Sequence, residues 1–444
     1  MSKIKILYYS GHGEVIGGDA QYLFGLIDNL DDNKYEIKLY TDKSALFAER
    51  AKQWLKKDVL IHYLDTRAVL GRRNLIQKLH YATEGYSGRN KSIIAIRKLL
   101  NADFLLGRSV YRWLNYIYYR IIEITTLAKF RHALHNTLIF YRLFKQEKNN
   151  IDILHFNNGG YPAKESVLIA VIVSRFCGIR NIIMTILSLA QPRKWYRISD
   201  RLYDYFIPKC CSKIITQAKF LSLELNKRRG IPLDKTQNIF LGIADAPVLS
   251  PDEIYKKKQE LGVPHDSPLL LISGGVYGEA KGHRVLLKSM TEIIKKYPAA
   301  RLLIAGAGEA LPDFQKLAGQ LNINDNVKFL GYWRDMSGLN AIVDIAVVPS
   351  IASEGIPYTC LEALRAGKAL IVTDTGGCAE TVEHEVSGLI IKKNDETELT
   401  NAILRLLDDR RAAVAMGAAG RKIFEKKFLL SIEIMKHEQL YSAL

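Results

Sequence analysis

Two glutamates, Glu354 and Glu362, stand eight positions apart where a short apolar run meets a helical pattern. The run 342–348 predicts a buried strand, and Gly355 and Pro357 predict a sharp bend followed by the first turn of a helix. This spacing places Glu354 at the mouth of a strand-to-helix turn and Glu362 about one turn inside the helix. Such mouths bind ligands in open α/β sheets, and ionised carboxylates accept paired hydrogen bonds from neighbouring sugar hydroxyls. The alternative is that both glutamates are solvated surface residues.

The pattern of strand, glycine turn and helix recurs at least four times between residues 268 and 391. The turns contain, in chain order, Gly274 with Gly275, Gly306 with Gly308, Glu354 with Gly355, and Gly376 with Gly377. Such repetition is typical of a parallel sheet whose loops gather at one edge. Glycine pairs let backbone N–H groups approach an anion. Lys281, on one of these loops, is either a partner for phosphate or a solvated lysine.

Residues from about 268 to 425 resemble the C-terminal domain of glycosyltransferase family 4, the retaining group of the GT-B fold. The matching motifs are Gly274-Gly275, Lys281-Gly282, Gly306-x-Gly308, Asn326-Val-Lys-Phe-Leu-Gly331, Asp344-Ile-Ala-Val-Val-Pro-Ser350, Glu354-x7-Glu362, Ala366-Gly367 and Thr375-Gly-Gly377-x-x-Glu380. Their number and order make the resemblance specific. It implies two Rossmann-like domains that face each other across a cleft.

The resemblance also implies roles for single residues. Glu354 would contact hydroxyls of the donor sugar, Glu362 would hold the ribose of the nucleotide, and Lys281 would bind the pyrophosphate. Gly376 and Gly377 would line the cavity for the sugar and the phosphates. Glu380 would either contribute there or only brace its loop.

The first half of the chain resembles the family's first domain less closely. Residues 3–10 predict a strand, and the following Gly17 and Gly18 match the family's glycine loop, which meets the donor phosphates across the cleft. The dinucleotide fingerprint Gly-x-Gly-x-x-Gly is absent from this loop. The stretch Asp152-Ile-Leu-His-Phe matches a family strand, so we expect His155 near the cleft as a structural or a catalytic residue.

Two positions depart from the family pattern. Val276 stands where the family usually carries an arginine, which removes a charged contact to phosphate. The stretch Thr185-Ile-Leu-Ser-Leu lacks the histidine that the family places next to the reacting carbon. These gaps leave two alternatives open, namely a catalytically inactive GT-B partner subunit and a GT-B sugar-nucleotide epimerase.

The length of 444 residues fits an N-terminal acceptor domain over residues 1–245 and a nucleotide-sugar domain over residues 246–420. Residues 231–251 contain three prolines and predict the linker. Residues 421–444 predict a helix that crosses back to the first domain. The five cysteines, with no Cys-x-x-Cys, no leader pattern and no spanning segment, predict a cytoplasmic protein. No Asp-x-Asp triad occurs, which predicts a metal-independent mechanism.

The net charge is +17, and most of the excess lies between Thr66 and Asn150, where 16 Lys and Arg and four acids give +12. Aromatic residues interleave with the basic ones, as in the stretch 111–120. This mixture suits amphipathic helices at an anionic membrane surface. We therefore expect a basic, aromatic insertion at about 66–150 that docks on a membrane. A solvated or internally paired helical face is the alternative. Nucleic-acid binding ranks last, because no recognisable module for it accompanies the charge.

Together these features predict an α/β protein of the GT-B fold that acts as a retaining hexosyltransferase. It would transfer a hexose to a glycolipid or glycan acceptor in polysaccharide or lipid glycosylation. The donor, a UDP- or GDP-sugar, is a substrate, and no further cofactor is expected. Lys281, Glu354 and His155 are the candidate catalytic residues. The expected location is the cytoplasm, peripheral on the inner face of the membrane.

Overall fold

The computed structural model describes residues 3–11, 18–66, 128–162, 164–193 and 198–444. Gly17 and the greater part of the predicted insertion lie outside the described residues. The described chain forms two α/β domains, each built on a parallel sheet, and this confirms the predicted pair of Rossmann-like domains. Among these residues, no helix is both long enough and apolar enough to span a membrane.

The first domain contains a parallel sheet in the strand order β3-β2-β1-β4-β5-β6-β7. Its strands are β1 (Ile4–Ser10), β2 (Tyr35–Asp42), β3 (Ile61–Leu64), β4 (Ile153–Asn158), β5 (Ile182–Ile186), β6 (Lys213–Thr216) and β7 (Thr236–Asn238). Its described helices are α1 (Gly18–Asn29), α2 (Ala45–Trp54), α3 (Ala128–Glu147), α4 (Glu165–Phe176), α5 (Ile198–Cys210) and α6 (Lys219–Arg229). Strands β4 and β5 are buried along their whole length because helices cover both faces of the sheet. Helices α3, α4 and α5 pack side by side on one of these faces.

The second domain contains a parallel sheet in the strand order β10-β9-β8-β11-β12-β13. Its strands are β8 (Leu269–Ser273), β9 (Arg301–Ala305), β10 (Val327–Gly331), β11 (Ile345–Val348), β12 (Ala369–Thr373) and β13 (Leu389–Ile391). Its helices are α7 (Pro251–Glu260), α8 (His283–Lys296), α9 (Leu311–Gln320), α10 (Met336–Ile342), α11 (Tyr358–Arg365), α12 (Glu396–Asp408) and α13 (Arg410–Lys427). The predicted glycine turns follow β8, β9, β11 and β12. Since parallel strands end at the same edge, this order gathers those turns on one side of the sheet.

The connection between the domains is shorter than the predicted linker. Thr236–Asn238 form strand β7 of the first sheet, although they lie inside the predicted range 231–251. Pro251 is the first residue of α7, where Ser250 and Glu253 form a capping box. The prolines near the two ends of the range 231–251 therefore lie next to regular elements. The segment that connects the two domains begins after β7.

The last helix, α14 (Leu430–Ser442), lies against the first domain. The hydroxyl of Tyr441 is 2.8 Å from that of Tyr8 and 2.8 Å from Nδ1 of His155. The hydroxyl of Tyr22 is 3.0 Å from Nε2 of His437. The predicted helix 421–444 is two helices, because Phe428 is buried and Leu429 is extended between α13 and α14.

Two stretches of chain cross between the domains side by side. The backbone N–H of Ile243 donates to Phe428 O at 3.0 Å, and that of Leu430 donates to Ile243 O at 2.9 Å. The N–H of Gly242 donates to the carboxyl of Glu433 at 2.6 Å. This carboxyl is fully buried, and burial raises the pKa of Glu433 to about 8.

Candidate active site

Glu354 and Lys281 meet at the carboxyl edge of the second sheet. Glu354 lies in the turn between β11 and α11, and Ser350 Oγ donates to its Oε1 at 2.9 Å. The ammonium of Lys281 donates to Oε2 of the same carboxylate. Both side chains are about one quarter exposed, at 27% for Lys281 and 26% for Glu354. The structure thus brings together the two residues that the sequence assigns to pyrophosphate and to donor sugar.

The backbone around Lys281 is shaped by glycines. Lys281 ends a 3-10 turn after β8, and Gly282 follows it with a left-handed φ of 74°. A side chain at Gly282 would overlap the carbonyl of Pro349, so only glycine lets this turn pack against the end of β11. Gly274, with a φ of 128°, lies beside the methylene groups of Lys281. This packing fixes the lysine next to Glu354.

Gly376 and Gly377 hold the loop after β12 against the turn that carries Glu354. Gly376 has a φ of 58°, and a side chain there would overlap the backbone of Glu354. The N–H of Gly377 donates to Glu354 O at 3.0 Å. The residues Gly376–Thr381 form a 3-10 helix, which replaces the longer helix expected after Gly377. These glycines therefore bring two loops together, and their small size positions Glu354.

Gly306 and Gly308 pack the loop after β9 against the loop after β8. Side chains at these positions would overlap the carbonyls of Gly274 and Val276 respectively. Val276 is fully buried in the core of the second domain. Its side chain packs against Gly306, 3.2 Å from where a side chain there would begin. A Cβ atom added at Gly275 would lie only 2.5 Å from the ring of Tyr277.

Glu362 lies in the second turn of α11 and differs from Glu354 in its surroundings. It is half-buried, and no hydrogen bond reaches its carboxylate from the residues that the structure describes. Burial raises the pKa of Glu362 to about 7, and the nearby Arg365 opposes this shift. A half-buried carboxylate without a partner is costly, so this position favours a ligand that donates hydrogen bonds.

Glu380 reaches across the cleft to the first domain. Its carboxylate accepts hydrogen bonds from the backbone N–H groups of Lys219 at 2.9 Å and Phe220 at 2.6 Å. These groups open helix α6, whose N-cap residue, Ala218, has no side chain that could bond them. Of the two roles that the sequence leaves open, these contacts favour the bracing role, with Glu380 as a cap between the domains.

Gly18, the described member of the first domain's glycine pair, faces the same region. Gly18 opens α1, and a side chain there would contact the ring of Tyr358 at 3.4 Å, at the start of α11. The carbonyl of Leu187, which follows β5, packs against Gly355. The edge that holds Glu354 therefore meets the carboxyl edge of the first sheet.

His155 is not at the cleft, and its predicted position is corrected by the structure. It lies inside β4 and is fully buried beneath α14. Its Nε2 is 2.7 Å from Thr185 Oγ1, and its Nδ1 bonds Tyr441, so both nitrogens have partners. Burial, together with His437, lowers the pKa of His155 well below its ordinary value. This histidine links the first sheet to the last helix.

Two amide side chains at the first domain's edge were missed from the sequence. Asn158 ends β4, and Gln217 follows β6; both are buried. Neither amide atom of Asn158 has a hydrogen-bond partner among the described residues, and the same holds for Nε2 of Gln217. Their signal in the sequence is a polar residue directly after a predicted strand. They flank Leu187, which packs against Gly355, so they lie close to the turn of Glu354.

Comparison with known proteins assigns the second domain. Residues 253–423 match the model of the family described as glycosyl transferases group 1. This part of the chain is a group 1 glycosyl transferase domain. A stretch of 194 residues is 32% identical to the GDP-mannose-dependent monoacylated alpha-(1-6)-phosphatidylinositol monomannoside mannosyltransferase of Corynebacterium glutamicum, covering 42% of the chain and 49% of the relative. A stretch of 150 residues is 33% identical to the GDP-mannose-dependent alpha-(1-6)-phosphatidylinositol monomannoside mannosyltransferase of Mycobacterium tuberculosis, covering 32% and 39%. The matches thus span about half or less of these relatives.

Solved structures resemble the whole chain. The Rickettsia africae glycosyltransferase superposes with a TM-score of 0.73 at 17% identity, over 100% of this chain and 99% of that one. Anabaena Alr3699/HepE in complex with UDP gives a TM-score of 0.71 at 17% identity, over 99% and 100%. At this identity the likeness concerns the fold, and the predicted GT-B fold is confirmed.

Proposed function

We propose that the protein is a retaining hexosyltransferase that carries a hexose from a nucleotide sugar to a glycolipid or glycan. The observation that supports this most directly is the set of charged groups at the carboxyl edge of the second sheet. There Lys281 contacts Glu354, and Glu362 lies within the same turn-helix unit without a partner. One cation and two carboxylates match a ligand that has phosphates, a sugar and a ribose.

Lys281 is proposed to bind the diphosphate of the donor. Its ammonium has three hydrogen-bond donors, and Glu354 uses one of them among the described contacts. The remaining donors suit phosphate oxygens. As the bond between sugar and diphosphate breaks, negative charge grows on the leaving group, and a fixed lysine stabilises that charge.

The two glutamates are proposed to bind different parts of the donor. Glu354 already has Ser350 and Lys281 as partners, so it is held in place before the sugar arrives. Its carboxylate would accept hydrogen bonds from sugar hydroxyls. Glu362 would accept hydrogen bonds from the ribose hydroxyls, which would replace the solvation that burial removes.

The proposed transfer step needs no nucleophile from the protein. The bond between the anomeric carbon and the diphosphate oxygen breaks, and a bond from this carbon to the acceptor hydroxyl oxygen forms on the same face. The acceptor proton passes to the departing diphosphate. Because Lys281 supplies the counter-charge, this mechanism is proposed to work without a metal ion. Positioning and electrostatic stabilisation carry the catalysis.

The acceptor is proposed to enter from the first domain, where Asn158 and Gln217 lie near the turn of Glu354. The names of the matched relatives, which act on phosphatidylinositol monomannosides, support a lipid-linked acceptor. Because a lipid-linked acceptor lies in a membrane, we propose that the protein acts from the cytoplasm at the surface of an anionic membrane. The donor is proposed to be a UDP- or GDP-sugar, since the relatives' names include GDP-mannose and a structural neighbour was solved with UDP.

The alternatives from the sequence gain no support. An inactive partner subunit is suggested partly by Val276, which is buried, but Lys281 provides a cation at the same edge. The stretch after β5 lacks the family's histidine, and it contacts Gly355 through the backbone carbonyl of Leu187. A sugar-nucleotide epimerase has no specific observation in its favour.

A thermal-shift panel of UDP-, GDP- and ADP-sugars tests the proposal. The parent protein should be stabilised by one nucleotide class, and Glu362→Ala should lose most of this stabilisation. Glu396→Ala is the matched control, because Glu396 is an exposed glutamate of the same domain. The proposal fails if no nucleotide sugar stabilises the parent, or if a crystal with bound donor shows Glu354 and Glu362 turned away from the ligand.

A further inference from the structure

One surface of the first domain presents apolar and basic side chains together. Helices α3, α4 and α5 form the layer on one face of the sheet, and their outward residues are exposed. The exposed apolar members are Phe130, Leu134, Leu138 and Tyr141 on α3, Phe176 at the end of α4, and Leu202 and Tyr205 on α5. Phe176 is 79% exposed and Phe130 is 68% exposed. The exposed basic members are Arg131, Arg142, Lys145, Arg175, Arg201 and Lys209. We call these residues together the outer helical surface.

The acidic residues of the same helices are turned inward. Glu147 is buried and accepts hydrogen bonds from Lys38 and Tyr40. Asp200 and Asp204 are buried and pair with Arg229. Glu165 is half-buried and accepts a hydrogen bond from Tyr203 at 3.0 Å. Exposed carboxylates are thus lacking on the described parts of α3, α4 and α5, so the cations of the outer helical surface are not neutralised locally.

The C-terminal ends of α3 and α4 join into one patch. Cys177, which follows α4, lies with its Sγ 3.9 Å from the carbonyl of Tyr141 on α3. Lys145 bonds the hydroxyl of Tyr141 at 3.1 Å. From this patch, the apolar stripe of α3 continues along a helix of 20 residues, which is about 30 Å long. In its first half, His135 contacts the carbonyl of Asp65, so α3 reaches the carboxyl end of strand β3.

We propose that the outer helical surface docks on an anionic lipid bilayer, with α3 lying in the interfacial plane. Arginine and lysine would contact lipid phosphates, while phenylalanine, leucine and tyrosine would enter the boundary between headgroups and acyl chains. A nucleic acid would use the cations but would leave the leucines and phenylalanines in water. A second copy of the chain would bring two cationic faces together. Charge complementarity and the apolar stripe together favour the bilayer. The proposal goes beyond the transferase reaction and stands on this surface alone.

Vesicle flotation of the full chain tests the proposal. The vesicles are phosphatidylcholine with and without phosphatidylglycerol, at low and at high salt. The parent should float with the anionic vesicles and float less at high salt. The triple variant Arg131→Gln, Arg142→Gln and Lys145→Gln should bind anionic vesicles about a hundredfold more weakly, since each cation contributes about fivefold.

A matched control separates position from net charge. Lys288→Gln, Lys295→Gln and Lys426→Gln remove the same charge from exposed sites of the second domain, and binding should stay close to that of the parent. Leu138→Gln with Phe176→Gln should lower binding at least about tenfold even at high salt, because the apolar contribution is not screened. Thermal unfolding of every variant checks that the fold is intact.

Several outcomes would overturn the proposal. One is flotation of the basic and apolar variants like the parent; another is equal binding of the parent to neutral and to anionic vesicles. Dimerisation in analytical ultracentrifugation that is lost in the apolar variant would assign the surface to a second copy. Because flotation uses no nucleotide sugar, its failure leaves the proposed transferase reaction untouched. A failed nucleotide panel leaves the docking result untouched.

Discussion

The carboxyl edges of the two sheets meet at the cleft but are built from different groups. The edge of the second sheet carries a cation, Lys281, in contact with Glu354, and a second carboxylate, Glu362, nearby. The edge of the first sheet carries the neutral amides of Asn158 and Gln217, whose buried atoms lack partners in the described structure. A charged edge suits a charged donor, whereas neutral amides suit hydroxyl groups. The difference indicates that the two domains bind chemically different halves of the reaction.

The two edges also differ in how their groups are held. Glu354 and Lys281 bond each other in the protein alone, so the proposed donor would exchange one set of hydrogen bonds for another. At the first edge, the amide of Asn158 and Nε2 of Gln217 have no partner among the described residues, so their burial stays costly until a ligand arrives. The following predictions test this contrast, from the largest expected effect to the smallest.

Lys281→Ala should lower the rate of transfer, measured as kcat/KM for the donor, by about 10²–10³-fold, because it removes a fixed charge from the leaving diphosphate. Lys288→Ala is the control, since Lys288 is an exposed lysine of α8. Steady-state kinetics with the donor found in the panel provide the measurement. Rates within threefold of the parent for Lys281→Ala would remove the lysine from the mechanism.

Glu362→Ala should weaken nucleotide binding about 10–100-fold, the loss expected for hydrogen bonds to a charged group. The same residue predicts a pH dependence, because its pKa is raised to about 7. Below this pH the carboxyl of the free protein is neutral, and binding through the ionised form must release a proton. Affinity should therefore fall as the pH drops through 7, by up to about tenfold per pH unit. Calorimetry of Glu362→Gln should give a flat profile, and a slope equal to that of the parent would contradict the assignment.

The sequence was sufficient for features that depend on local pattern. The turns with Lys281, Glu354, Gly376 and Gly377 could be predicted because a strand, a glycine turn and a helix follow one another within a few residues. Parallel order then gathers them at one edge. The α/β class followed from the same repetition, whereas the GT-B fold was implied by the family resemblance.

Features that depend on distant parts of the chain could not be predicted. The motif around His155 indicated a strand but not which face would be covered, and the cover comes from Tyr441, 286 positions away. Glu380 bonds backbone groups 160 positions away, which no local pattern indicates. The burial of Val276 was likewise not evident from its motif.

Asn158→Leu should stabilise the ligand-free protein by about 1–3 kcal/mol, since it replaces a buried amide that lacks partners by an apolar group of similar size. It should also slow transfer to the acceptor, while nucleotide binding stays unchanged. Asn340→Leu is the matched control. It should destabilise the protein, because the buried Asn340 amide donates to Met336 O at 2.9 Å. Chemical denaturation gives the stabilities. Destabilisation by both substitutions to a similar extent would show that Asn158 is satisfied in solution.

Glu380→Ala should weaken the free energy of association between the two domains by about 0.5–2 kcal/mol, because it removes the cap of α6. The expected result is a more open protein, seen as a larger radius of gyration in small-angle X-ray scattering. Glu383→Ala provides the comparison, since Glu383 is an exposed residue three positions later. Identical scattering of Glu380→Ala and the parent would mean that other contacts hold the two edges together.

The position of α14 has a consequence for biosynthesis. This helix supplies His437 and Tyr441 to the interior of the first domain, yet it follows the entire second domain in the chain. During translation the first domain must therefore wait, with part of its interior uncovered, until the second domain has left the ribosome. Nascent chains that stop before residue 430 should be recognised by chaperones as unfinished even when most of the first domain is already made.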